Sequence, residues 1–260
     1  MNAGLEIGDA TVRYGRKVVL DRFSLPILPP GQVTVLAGPN AAGKSTLLRG
    51  IARLAPVQGR FLLDGADLSR MSAPERAGRI GFMPQALPLG ASLSVLESTI
   101  TALRAGGAHH GPDAAAQAMA VLDRLGIGAL ATEPLDRLSG GQRQMVGLAQ
   151  ATVRDPRLLL LDEPTSALDL ARQVRLLSEV RRIASEGRVV LAVLHDLALA
   201  ARWADRIAVL HRGRIHSEGP PETVVTPAML AEVYGVEARV EHCSQGRLTV
   251  LIDRELQAAP

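Results

Sequence analysis

The sequence predicts an α/β fold, with a parallel sheet buried on both faces and a helical segment inserted into it. Three observations predict it. The runs QVTVLAG, RLLLL and VVLAVL, at residues 32–38, 157–161 and 189–194, are continuous and apolar, as expected of parallel strands covered by helices on both sides. The first passes through a glycine-rich turn into a helical pattern over residues 44–54, with Leu47, Leu48, Ile51 and Leu54 on one face. From about residue 83 to residue 152 the rhythm changes to an Ala-rich helical pattern.

The elements follow in order. Residues 5–12 (LEIGDATV) alternate as a half-buried strand does, and residues 23–28 suggest another, ended by Pro29-Pro30-Gly31. The strand, glycine loop and helix come next. Within the insert, residues 114–125 read as helix and 106–112 (GGAHHGP) as a loop between helices. His109 and His110 stand in that loop, but no third ligand is near in sequence, so a solvated loop is expected rather than a metal site. The α/β rhythm then returns, with a helix over 171–186 between two apolar strands. Residues 207–210 and 214–216 form a hairpin around Arg212-Gly213, and the last stretch is a small mixed tail.

Bulk properties narrow the function. Of 260 residues, 47% are apolar and only 2% aromatic, so a large core is built from Leu, Val, Ile and Ala. The net charge of +3 is small and its bases are scattered, which argues against nucleic-acid binding. Cys243 is the sole cysteine; it has no motif around it, excludes an internal disulfide and suits a reducing compartment. No apolar stretch reaches the roughly 18–20 residues that span a bilayer, and MNAGLEIGDA lacks the basic and apolar regions of an export signal. A cytosolic chain, brought to a membrane only by a partner, is the expectation.

Four short motifs carry chemistry. Residues 38–45, GPNAAGKS, fit G-x-x-x-x-G-K-[ST] between a strand and a helix. Successive backbone N–H groups there curl around a phosphate, glycine permits the close approach, and the helix directs its positive end at the anion. In this loop of Gly38, Pro39, Asn40, Ala41, Ala42 and Gly43, Lys44 is expected to reach the β- and γ-phosphates. The Ser45 hydroxyl would ligate Mg²⁺, and Thr46 would add a hydroxyl to the α-phosphate. Residues 158–163, LLLLDE, deliver Asp162 to the end of a buried strand, as a direct or indirect Mg²⁺ carboxylate, with Glu163 as general base on the attacking water. Alone, such a pair is more often a helix cap or solvated turn; beside a phosphate loop the chemical reading prevails. His195 follows the run VVLAVL and suits a phosphate or water contact, while Asp196 is the better helix cap. In LSGGQ, residues 138–142, Ser139 opens a helix and Gly140-Gly141 expose N–H groups, making a second anion site. The helical insert separates it from the first in sequence, so the two do not easily join within one chain, and a second molecule could supply it.

In order, GPNAAGKS, LSGGQ, LLLLDEP, SALD and the histidine of VLHD resemble the nucleotide-binding domain of ATP-binding-cassette proteins, over nearly the whole chain. The resemblance implies a P-loop NTPase (RecA-like) core with an N-terminal antiparallel β subdomain and an inserted α-helical subdomain. It implies one domain over 1–260, with core at about 1–85 and 153–240, helical subdomain at about 86–152 and tail at about 241–260. It implies ATP and Mg²⁺ as cofactors and a homodimer sandwiching two ATP molecules head to tail. Ser139, Gly140, Gly141 and Gln142 of one copy would close over the γ-phosphate held by Lys44 of the other. By the same resemblance Tyr14 stacks on adenine, and Gln85 touches Mg²⁺ and the water. Ser166, Ala167, Leu168 and Asp169 form the loop that crosses the dimer, Glu163 is the base and His195 the switch. The family's commonest pattern has glycine where this chain has Ala41; a positive φ there would cost about 1 kcal/mol.

The stretch VLHDLALAARWADRIAVLHRGRI and the tail EGPPETVVTPAMLAEVYGVEARVE resemble subunits of iron-chelate importers, a group handling ferric siderophores with haem and cobalamin importers as relatives. That implies a membrane-embedded permease as partner, a substrate-binding protein indirectly, no nucleic acid, and a place on the cytoplasmic face of the inner membrane. The permease and binding protein choose the cargo. Two alternatives remain open: a soluble cassette ATPase acting on ribosomes or DNA, which usually carries two cassettes or basic extensions, and an exporter subunit.

Overall fold

The computed structural model describes residues 3–14, 17–87, 93–105 and 113–256. The chain opens with β1 (Leu5–Tyr14) and β2 (Lys17–Leu28), an antiparallel pair. Strand β3 (Val33–Ala37) leaves for a second sheet and feeds α1 (Lys44–Ile51). Strands β4 (Val57–Leu63) and β5 (Ala66–Asp67) then return, giving a four-stranded sheet in the order β2-β1-β4-β5. Its inner face, including Leu5, Ile7, Leu20, Phe23 and Phe61, is buried with Leu47, Leu48 and Ile51 of α1. The register of β1 shifts past Gly8, where Asp9 takes a left-handed φ of 51°. This bulge displaces the inward series from Ile7 to Ala10, so strict alternation does not carry across the strand.

Helix α2 (Ala73–Arg79) is set by a capping box between Ser72 and Glu75 and leads into β6 (Ile80–Met83). After the insert come β7 (Leu158–Asp162), β8 (Val189–Val193), β9 (Arg206–His211) and β10 (Arg214–Gly219). The central sheet runs β10-β9-β3-β8-β7-β6, parallel except for β10 at its edge. The continuous apolar runs have a physical reason here. Leu158 and Leu160 of β7 face α1 and the first sheet, while Leu159 and Leu161 face the opposite core. Val189, Leu191 and Val193 of β8 divide from Val190 and Ala192 in the same way.

The insert contains α3 (Val95–Arg104), α4 (Ala114–Arg124) and α5 (Gly140–Thr152). Capping boxes at Ser94/Glu97 and Ser139/Gln142 start the first and last. Helices α6 (Leu170–Ser185) and α7 (Leu197–Trp203) begin at Asp169 and Asp196, whose carboxylates accept from the N–H groups of Arg172 and Leu199. Short helical turns over 221–234 lead to β11 (Val236–His242) and β12 (Leu248–Glu255), a separate antiparallel pair packed on α7.

Several sequence readings need correction. The helix expected over 44–54 stops at Ile51: Arg53 is left-handed, with φ 59°, and Leu54 points to solvent. The strand read from residue 23 begins at Lys17, and the hairpin arms extend to 206–211 and 214–219. The tail boundary at 241 falls inside β11, because the hairpin pairs Val236 with Glu255. Strands β4 to β6 and helix α2, all within 55–85, had drawn no assignment.

Candidate active site

The C-terminal ends of β3, β7 and β8 meet on one edge of the central sheet, and the loops leaving them build a cavity of about 870 Å³. It is lined by Asn40, Ala41, Ala42, Gly43, Lys44, Ser45 and Thr46, together with Val19, Gln85, Glu163 and His195. Gly38 sits at φ 138°, and a Cβ there would meet the Leu210 carbonyl oxygen at 2.2 Å. Gly43, at φ 95°, would press a Cβ on Val19 Cγ1 at 2.7 Å. The loop therefore packs its backbone directly onto β9 and β2, an approach that only glycine permits at these two positions. Ala41 is left-handed, with φ 60°, so the strain foreseen for an alanine at this position is present.

Lys44 is 5% exposed, and its ammonium donates to the carbonyl oxygens of Gly38 and Pro39, both at 2.7 Å. Burial lowers its pKa, against the attraction of Glu163 and Asp162, which raises it. Ser45 Oγ donates to Asp162 Oδ1 at 2.7 Å across the gap between α1 and β7. Burial pushes the Asp162 carboxyl upward, opposed by that hydroxyl and reinforced by Glu163. A hydroxyl beside a buried carboxylate of this kind is a hard oxygen pair; it fits Mg²⁺, which takes few protein ligands when phosphates supply the others. Asp162 gains a compensating charge in that arrangement.

Glu163 has a left-handed backbone, φ 51°, which turns its carboxylate back over the cavity. Oε1 lies 2.6 Å from His195 Nε2, and Oε2 accepts from Gln85 Nε2 at 2.8 Å. Residues just past the ends of β6 and β8 thus converge on a carboxylate just past the end of β7, in the same cavity as the phosphate loop, a geometry able to orient and deprotonate a water. His195 lies two residues past the end of β8 rather than on the strand, and β8 separates β7 from β3. Gln85 is engaged with Glu163, not with the Ser45–Asp162 pair.

Ser139 and Gly140 are exposed at the start of α5, where the Ser139 N–H donates to Gln142 Oε1 at 2.8 Å. None of residues 139–142 is among the described residues that line the cavity. Ser166 to Asp169 bridge β7 to α6, with Ser166, Ala167 and Asp169 exposed and Leu168 buried. The Tyr14 side chain and the His109-His110 pair lie outside what the structure describes. Cys243 is exposed.

Three residues escaped the sequence reading. Val19 comes to the cavity only because β2 packs beside the phosphate loop. Gln144 follows LSGGQ by two residues and is 5% exposed within α5. Tyr234 faces the Gly38 backbone N–H, and burial pushes its phenol up to about 12 against that contact.

A family model described as ABC transporter matches residues 20–166. The hemin import ATP-binding protein HmuV of Hahella chejuensis is 40% identical over 235 residues, which cover 87% of this chain and 91% of that protein. The protein of the same name from Myxococcus xanthus is 42% identical over 246 residues, covering 91% of each. Among solved structures, a metal-chelate type ABC transporter in an inward-facing conformation superposes with a TM-score of 0.80 at 25% identity, over 97% of both chains. A bacterial ABC transporter cassette solved as a dimer gives 0.75 at 27% identity, over 84% of this chain and 98% of that one. With a nucleotide-sized cavity closed by a phosphate loop and a bracketed carboxylate, and with relatives of this kind along its length, the chain belongs to the ABC transporter family as an ATP-binding, ATP-hydrolysing subunit.

Proposed function

We propose that this chain energises an importer of haem or a related iron chelate, working as a homodimer bound to membrane-embedded permease subunits. The observation that carries the dimer is the separation of the two anion sites: the phosphate-loop cavity has a base and a lysine but none of residues 139–142 among its described lining. A second copy supplies Ser139, Gly140, Gly141 and Gln142, and its 166–169 loop crosses beside them. Leu170, 80% exposed, and Val174 one turn on extend this face with an apolar stripe, as an intermittent interface requires. The names of the curated relatives favour haem among the iron chelates. No described helix is long and apolar enough to cross a membrane; in this reading the permease holds the chain at the cytoplasmic face of the inner membrane. A substrate-binding protein hands the cargo to that permease.

In this reading Lys44 releases the Gly38 and Pro39 carbonyls to bind the β- and γ-phosphates, while Ser45 and Asp162 hold Mg²⁺, which neutralises phosphate charge when bound. Tyr14 and Val19 cover adenine, and Thr46 contacts the α-phosphate. Glu163 takes the proton of the attacking water; His195 and Gln85 fix the carboxylate's direction and report nucleotide state to the neighbouring elements.

The test is Glu163→Gln. It is expected to bind ATP, to slow hydrolysis by about 100-fold or more, and to accumulate as a dimer in sedimentation; normal turnover removes Glu163 as the base. For the cargo, Lys44→Ala in the native strain is expected to abolish growth on haem as iron source, and undiminished haem uptake counts against this cargo.

A further inference from the structure

Glu163 holds a left-handed backbone that non-glycine residues keep only when their surroundings fix it. Its N–H donates to the Val193 carbonyl of β8 at 3.2 Å. Its own carbonyl accepts from Ser166 Oγ at 3.2 Å and from Gln144 Nε2 at 3.3 Å. Ser166 belongs to the same turn, whereas Gln144 comes from α5. The same Gln144 amide donates to Ser166 Oγ at 2.9 Å, and its Oε1 accepts from the Ala167 N–H at 3.3 Å. One buried side chain thus grips three consecutive features of the turn: the base's carbonyl, the Ser166 hydroxyl and the Ala167 amide.

The position of Gln144 on α5 gives this grip a direction. It lies about one and a half helical turns beyond Ser139, on a helix whose glycine-rich start packs on the same turn; a Cβ on Gly141 would stand 3.1 Å from the Ala167 carbonyl oxygen. A rigid helix passes a displacement of its exposed end to its first buried polar contact. That contact is the Gln144 amide, and what it holds is the turn carrying Glu163.

We propose that Gln144 is a positioning residue for hydrolysis, holding the Glu163 turn in its working geometry and tying it to the end of α5 that meets the partner's nucleotide. This rests on Glu163 being the base. Occupancy of the site that Ser139 completes is thereby felt at the site that Glu163 serves, within one subunit and through one side chain.

The test is a double-mutant cycle on the full chain, read by single-turnover and steady-state ATP hydrolysis. Gln144→Leu removes all the polar contacts at similar volume. Gln144→Glu keeps an acceptor for Ala167 but loses both donors, and serves if the leucine variant does not fold. Either is expected to lower kcat by about 10- to 100-fold with the KM for ATP within about 2-fold, because only the aim of the base is lost. In a Glu163→Gln background the same change is expected to alter the residual rate by less than about 2-fold, since the group it positions is gone. A kcat near the parent's, an equal factor in both backgrounds, or a rise in KM matching the fall in kcat overturns the proposal. Slow Glu163→Gln beside normal Gln144→Leu overturns Gln144 alone; normal Glu163→Gln overturns the base and this proposal together.

Discussion

Ala41 and Glu163 place two left-handed backbones in the lining of one cavity, with φ of 60° and 51°. At Ala41 the Cβ has no evident use, and the left-handed form costs an L-residue about 1–2 kcal/mol. Glycine relieves this but gains about 0.4–1 kcal/mol of unfolded-state freedom. Ala41→Gly is therefore expected to stabilise the protein by about 0.5–1 kcal/mol, seen as a raised urea midpoint with an unchanged slope. At this scale the sequence was most legible where short motifs dictate residue type: Gly38, Gly43, Lys44 and Ser45 stand in one and Asp162 in another, and the structure joins the two through the Ser45–Asp162 hydrogen bond. Gln144 was illegible for the opposite reason. A glutamine mid-helix has many uses, and only the approach of α5 to the β7–α6 turn gives this one its partners. Val19 and Tyr234 depend in the same way on distant segments meeting the loop.

Long buried runs were the most legible elements; β6, largely buried but only 4 residues long, was not legible. Strands β3, β7 and β8, covered on both faces, read directly from unbroken apolar runs. Strand β4 did not, because its first half, residues 57–60, is mostly exposed and carries Gln, Gly and Arg. The two sheets are joined by a pair that no periodicity announces. Arg157, just before β7, donates from Nε and Nη2 to Asp64 at 2.6 and 2.9 Å, and from Nη1 to the Gly187 carbonyl. Asp64 also accepts from the Gly4 N–H at 2.9 Å. These contacts, those of Arg157 foremost, hold the Asp64 carboxyl below its ordinary pKa. A depressed carboxylate contributes stability that is present above its unfolded pKa of about 3.9 and is lost as pH falls through the folded value. Asp64→Asn is expected to cost about 1 kcal/mol at neutral pH, modest because the two side chains are 31% and 28% exposed, and to flatten the loss of stability below about pH 4 in acid titrations.

For the whole molecule, two cores lie on either side of the central sheet, and neither includes Leu170 or Val174. Leu170 contributes little to either core at 80% exposure. Leu170→Asp is therefore expected to leave monomer stability within about 0.5 kcal/mol while weakening ATP-dependent dimerisation, best measured by sedimentation in the Glu163→Gln background. An unchanged dimer fraction removes this stripe from the interface.

The seat of β3 also orders events on the ribosome. Val33 pairs with Val190 and Thr34 with Arg206, so the strand that launches the phosphate loop waits for most of the chain before it has a neighbour on either side. Until β8 and β9 emerge, β3 has no strand to pair with on either side, and the nucleotide cavity cannot assemble early enough to guide the fold. Binding competence therefore depends on strands drawn from the last third of the chain.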